Sequence, residues 1–250
     1  FHRRSGARIT ATFNEVDDTS HYGVPDLDAD RRVLGWQEKP SAAEAKSRFG
    51  NVGVWVIEPE ILDYIPETGL VSLEKETFPL LLRDGVPFFG YCFEGYWKDI
   101  GSIDKYLDAN RDLLGGRVRD HEVPGRRVSD TLWLGEGVIL PEDCVIEGRV
   151  AIGSGTVIGA GVRIEGPTAI GSGCSIGADA SIAASVIWDK ATIGPRARIE
   201  SAIIGSANVG ADCAVGSGSV LGSESQLGAN SYLPPSSLLG PGSSLTIGRS

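Results

Sequence analysis

A carboxylate and an ammonium stand side by side in Glu38-Lys39-Pro40, where a strand-like run ends. Ligands of open α/β sheets bind at the C-terminal mouths of strands, and a lysine there meets a phosphate as a point charge. Taken alone, the same residues also read as a solvated surface ion pair. Asn51 and Gly53 open the next apolar run. An asparagine donates to and accepts from hydroxyls, and a glycine lets a ligand come close to the backbone; strand entry alone would also explain both. Asp99 lies between Trp97 and Gly101, just before a helical pattern. Its carboxylate could hold Mg²⁺ or simply favour the helix N-terminus electrostatically. Phosphate, hydroxyl and divalent-ion contacts are the chemistry these residue types offer.

The elements that would position them can be read from periodicity. Residues 7–15 alternate, with Ile9, Ala11 and Phe13 on one face of a strand. A polar turn follows and ends in Tyr22-Gly23. Residues 24–28 and 32–37 form a hairpin about Asp28-Ala29-Asp30. Residues 41–49 read as an exposed crossover, 51–57 as a strand, and Pro59 opens a short helix through Ile65. Ser72 caps a helix over 73–84, with a break or kink at Pro79 and a stop at Gly85. Residues 88–93 form another strand. A helix over 103–114 carries the stripe Ile103, Tyr106, Leu107, Asn110, Leu113 and Leu114, in which Asn110 is polar.

Beyond this the period changes to six. Aliphatic residues recur from Val128 through Leu134, Leu140 and Ile146 in unbroken steps to Ile182. After one slip they resume at Ile187, Ile193 and Ile199, and after a second at Ile203, Val209, Val215, Leu221, Leu227 and Leu233. Many are followed directly by glycine. This period fits a parallel β-helix of hexapeptide repeats, in which three short strands make a coil and one aliphatic side chain per strand points inward. About six coils at ~4.8 Å each give a prism roughly 30 Å long. Exposed coil edges need a cap or partner. Pro234-Pro235 is expected to stop the last strand, leaving a Gly/Ser-rich tail. The domain boundaries follow: an α/β part at 1–116, a charged linker at 117–127, and the solenoid with its tail at 128–250.

Composition narrows the function classes. With 41% apolar residues in 250 there is room for one or two domains with a real core. A net charge of -10 without a basic run argues against nucleic acid or an anionic membrane as partner. No apolar stretch approaches the ~20 residues needed to span a bilayer, and no signal peptide is visible. Cys92, Cys144, Cys174 and Cys213 lie far apart with no metal spacing, which suits a reduced, cytoplasmic setting.

The order of the motifs carries more than any one of them. Tyr22-Gly23, Glu38-Lys39-Pro40, Asn51-Val52-Gly53, Ser72 to Pro79 (SLEKETFP) and Tyr96-Trp97-Lys98-Asp99-Ile100-Gly101, followed by a hexapeptide prism, resemble the sugar-1-phosphate nucleotidyltransferases. Within them the pattern is most similar to the mannose-1-phosphate guanylyltransferases, over roughly residues 7–233. The resemblance implies a Rossmann-like catalytic domain followed by a left-handed β-helix. It implies transfer of a nucleotide from an NTP, here GTP, to a sugar-1-phosphate, here mannose-1-phosphate, with release of pyrophosphate; glucose with another base is the neighbouring alternative. It further implies that Gly23, Glu38, Asn51 and Gly53 contact the sugar, that Lys39 holds its phosphate, and that Asp99 is one of two aspartates holding Mg²⁺. A homo-oligomer is expected, with the prism packed on the catalytic domain.

The family's glycine-rich nucleotide loop, GGxGTRLxPLT, and its earlier metal aspartate have no counterpart here. With no methionine and a start at Phe1, the chain reads as the C-terminal two-thirds of a transferase, expected to make no nucleotide-sugar alone. A non-catalytic regulatory relative that binds sugar nucleotide is the alternative. A hexapeptide acyltransferase fits poorly, because such enzymes rely on a histidine in the prism, and His2, His21 and His121 all precede it.

Overall fold

The computed structural model describes residues 1–119 and 121–246. Two compact units emerge, Phe1–Trp97 and Lys98–Ser250. The first opens with a single helical turn, α1 (His2–Ser5), followed by β1 (Ile9–Glu15), β2 (Gly23–Leu27), β3 (Val33–Glu38) and β4 (Phe49–Ile57). A 3₁₀ turn at Pro59–Tyr64 and a π-helical turn at Leu73–Thr77 lead into α2 (Phe78–Arg83) and β5 (Phe88–Cys92).

β1 is the centre of a three-stranded sheet ordered β4-β1-β5, antiparallel to β4 and parallel to β5. Its expected inward face is fully buried, with Ile9, Ala11 and Phe13 at 0% exposure. β2 and β3 form the expected antiparallel hairpin; the Asp28 carboxylate ties its turn by accepting from the Asp30 and Arg32 amides. Trp36 on β3 closes the core against Phe13, Phe78 and Phe88, at centroid distances of 6.0, 4.9 and 6.2 Å. Ser72 caps the next element as expected, its hydroxyl accepting from the Lys75 amide at 3.3 Å. The break at Pro79 is taken up by the π turn. Proline cannot donate to the previous turn, and the Phe78 amide bonds instead to the Leu73 carbonyl five residues back.

The second unit contains α3 (Ile103–Leu114) and the solenoid. Residues 98–116 thus group in space with the prism. Trp188 Nε1 donates to Tyr106 Oη at 3.2 Å, and Arg149 Nη1 donates to the Leu114 carbonyl at 2.7 Å. The prism has three parallel sheets whose inward residues stack in register. One stack runs Leu134, Ile152, Ile170, Ile187, Ile204, Leu221, Leu239. Another runs Ile146, Ile164, Ile182, Ile199, Val215, Leu233. The coils approach so closely that a Cβ on Gly153 would lie 2.5 Å from the Gly171 carbonyl carbon.

Four expectations need correction. Val128 does not belong to the stack; it is 45% exposed. The second slip is split in two, because Ile204 rather than Ile203 pairs with Ile187 and Leu221 in the inward stack, so that the steps from Ile199 to Ile204 and from Ile204 to Val209 are both one residue short. Arg126–Arg127, assigned to the linker, pair antiparallel with Trp133 and Leu134 and so cover the first coil's edge with charge. Pro234-Pro235 does not end the helix. Leu238–Leu239 and Ser244–Leu245 continue it, because each strand is only two residues long and the prolines fall in the turn between them. The residues beyond 246 in the expected tail lie outside those described.

Candidate functional site

β1 and β5 run parallel, so their C-terminal ends mark the edge where an α/β sheet offers a ligand its mouth. Asn51 lies at that edge, opposite Phe13, and Gly50 lies opposite Asn14. Tyr22 joins the edge to the hairpin. A Cβ on Gly50 would stand 3.1 Å from Tyr22 Cβ, and the Tyr22 carbonyl accepts the Lys39 amide at 3.0 Å. Gly23 is the cross-strand partner of Glu38. Gly23, Glu38, Lys39 and Asn51, singled out by type and order, therefore occupy one neighbourhood of the first unit.

Each has a specific local state. Lys39 is exposed with a φ of 52°. A side chain at positive φ directly before a proline is uncommon, and strain of this kind gathers at functional sites. It turns the exposed lysine off the strand end while Pro40 stays buried. Asn51 is 7% exposed and donates through Nδ2 to Glu74 Oε1, while its Oδ1 accepts the Gly53 amide at 3.2 Å. Gly53 has a φ of 79° with open space where a Cβ would stand, so backbone conformation is what calls for glycine there. Glu38 Oε2 is buried and has no hydrogen-bond partner among the described residues. A carboxylate oxygen withdrawn from water without a donor is costly, and that makes it an acceptor awaiting one.

Glu74 was missed as a site residue. Its place in Ser72-Leu73-Glu74 reads as the acidic first turn of a helix, and no local pattern ties it to Asn51.

Asp99 belongs to the second unit. Its Oδ1 accepts the Gly101 amide at 2.9 Å and its Oδ2 pairs with Lys105 Nζ at 2.9 Å. Among the described residues no group of three His, Cys, Asp or Glu side chains could hold a metal ion. One carboxylate engaged by a lysine does not fit a magnesium site by itself. Close by, Asp112 is buried and pairs with Lys98 at 2.8 Å and Arg117 at 3.1 Å, anchoring α3.

Burial pushes the thiols of Cys92, Cys144 and Cys174 above the ordinary cysteine value, which suits inert packing residues rather than nucleophiles. Among the described residues no helix is long and apolar enough to cross a membrane.

Residues 1–116 match the family described as Nucleotidyl transferase, and residues 129–233 match the EIF2B subunit epsilon LbH domain. The front of the chain is thus similar to the nucleotidyl transferases. The prism is a left-handed parallel β-helix. A UTP–glucose-1-phosphate uridylyltransferase of Synechocystis sp. is 36% identical over 206 residues, 81% of this chain and 53% of the relative. A glucose-1-phosphate adenylyltransferase of Clostridioides difficile is 32% identical over 123 residues, 46% of this chain and 31% of the relative. A mannose-1-phosphate guanylyltransferase of Mycobacterium tuberculosis is 32% identical over 128 residues, 51% and 35% respectively. The chain thus spans about half the length, or less, of these curated relatives. The relatives differ in sugar and base, so the likeness to the mannose enzyme is one among several.

Proposed function

We propose that this chain supplies the sugar-phosphate side of a sugar-1-phosphate nucleotidyltransferase, an enzyme joining a sugar-1-phosphate to an NTP with release of pyrophosphate. The observation that carries the reading is the Gly23–Glu38 pair, with Lys39 turned outward at its end and Glu38 Oε2 buried without a donor among the described residues. A sugar hydroxyl would donate to that oxygen, and the Lys39 ammonium would meet the phosphate. Asn51 and the Gly53 backbone border the same edge and would contact the ring, with Glu74 fixing the Asn51 amide.

The chemistry asks little of a general base. A sugar phosphate is already an anion when it attacks the α-phosphorus of the NTP. Alignment of nucleophile and leaving group, and neutralisation of charge, account for the acceleration. Lys39 would serve both ends by fixing the attacking phosphate and screening its charge. The mannose-1-phosphate and GTP pairing has support in the relative matched over 128 residues; the glucose relative, matched over 206, favours glucose-1-phosphate as the first substrate to assay.

Titration calorimetry with glucose-1-phosphate and mannose-1-phosphate tests the reading. One of them should bind, and Lys39→Ala should weaken binding about 10- to 100-fold, the scale of a charge-assisted contact. Unchanged affinity in Lys39→Ala would refute the phosphate role. Tight binding of a finished nucleotide-sugar without turnover in the protein that carries this chain would favour the regulatory alternative.

A further inference from the structure

Trp36 lies on the same face of β3 as Glu38, two residues away. Its indole edge reaches back across the hairpin to Gly23, where a Cβ would run into the ring and stand 3.1 Å from Nε1. Gly23 is itself directly opposite Glu38. Side chains at such cross-strand positions have Cβ atoms about 5 Å apart, so the indole N–H and the Glu38 side chain both border Gly23, which has no side chain to stand between them. Both atoms are buried and neither has a partner among the described residues, Trp36 Nε1 lacking an acceptor and Glu38 Oε2 lacking a donor. They do not satisfy each other. The rest of the Trp36 ring is locked by Phe13, Phe78 and Phe88, so the N–H is held in place.

A hydroxyl is the group that answers both, because it accepts one hydrogen bond while donating another. A carbonyl could not donate to Glu38, and an ammonium could not accept from Trp36. We infer that Trp36 Nε1 and Glu38 Oε2 together grip a single hydroxyl of the sugar ring, making Trp36 a specificity-determining residue of this site. Gly23 matters here through the space it leaves for the indole edge. The inference rests on the reading that the site takes a sugar-1-phosphate, and it adds which side chain completes recognition of one hydroxyl. A site built to pair a hydroxyl on both sides rejects an analogue lacking it, because both protein groups are then left unpaired.

The test follows the indole N–H signals of the ¹⁵N-labelled chain, which has five tryptophans. Trp36 is assigned by loss of its signal in Trp36→Phe or, if that variant fails to fold, by cross-relaxation to the rings of Phe13, Phe78 and Phe88. Glucose-1-phosphate, mannose-1-phosphate, their singly deoxygenated analogues and inorganic phosphate are titrated in turn. The expected result is a downfield shift of the Trp36 signal with a sugar-1-phosphate but not with inorganic phosphate. One deoxy analogue should bind roughly tenfold more weakly and leave the signal in place. If other signals move on binding while that of Trp36 stays, the inference is wrong and the sugar-phosphate reading stands. If no sugar-1-phosphate moves any signal, both fail.

Discussion

Truncating Ile182 to alanine tests whether the prism is held by its internal stack. Ile182 is 0% exposed and paired in register between Ile164 above and Ile199 below. Ile182→Ala removes three carbons, worth about 2.4 kcal/mol at ~0.8 kcal/mol per buried CH₂. Neighbouring coils are fixed at ~4.8 Å by the backbone ladder, so the space cannot close by inward collapse and a cavity cost is added. The total should be about 3–4 kcal/mol, inside the range seen for such truncations. Val128→Ala, at the position the hexad phase wrongly includes, should cost less than about 0.5 kcal/mol. Urea unfolding followed by circular dichroism reads both as shifts in midpoint at unchanged slope. A loss below about 1 kcal/mol for Ile182→Ala, or equal losses for the two, would refute the inward-stack account.

Three further outcomes follow. Asp112→Asn should lower stability by about 2 kcal/mol, because its nearly buried carboxylate pairs with Lys98 and Arg117; an unchanged urea midpoint would contradict its anchoring role. Gly23→Ala should cost about 1–3 kcal/mol by driving a Cβ into Trp36, with a change in tryptophan emission; a variant with unaltered emission and stability would show that the indole does not lie there. Burial raises the Cys174 thiol above its ordinary value of 9.0, so the folded chain keeps a proton that the unfolded chain releases. Its contribution is therefore constant below about pH 9 and is lost as pH rises from there through the raised folded value. Urea midpoints in Cys174→Ala should fall less over that alkaline window than in the parent chain, and equal falls would remove Cys174 from the account.

The solenoid was legible because one inward residue per strand leaves a phase that turns cannot hide. The phase failed where two aliphatics stand together. Ile203 and Ile204 are both buried, at 7% and 0%, and nothing local says which faces in. It also ended too early at Pro234-Pro235, since proline breaks a long strand but is tolerated between two-residue ones; Leu239 and Leu245 hold the six-residue step past it. In the first unit, alternation placed β1, whose inward face of Ile9, Ala11 and Phe13 is buried, while the turn about Asp28-Ala29-Asp30 placed β2 and β3 and an apolar run placed β4. The neighbourhood of Gly23, the Glu38-Lys39 pair and Asn51 could be inferred only from motif order, since its three parts are separated by 12 residues or more. What escaped are the side-chain meetings of Glu74 with Asn51 and of Lys105 with Asp99, and the edge of Trp36 over Gly23. Each depends on side-chain meetings that spacing does not encode.

The most direct test of the central claim is pyrophosphate release by the protein that carries this chain, measured across paired NTPs and sugar-1-phosphates. The account predicts release that requires a sugar-1-phosphate and falls at least tenfold in Lys39→Ala. Absence of release with every pair, or release indifferent to Lys39, would contradict it.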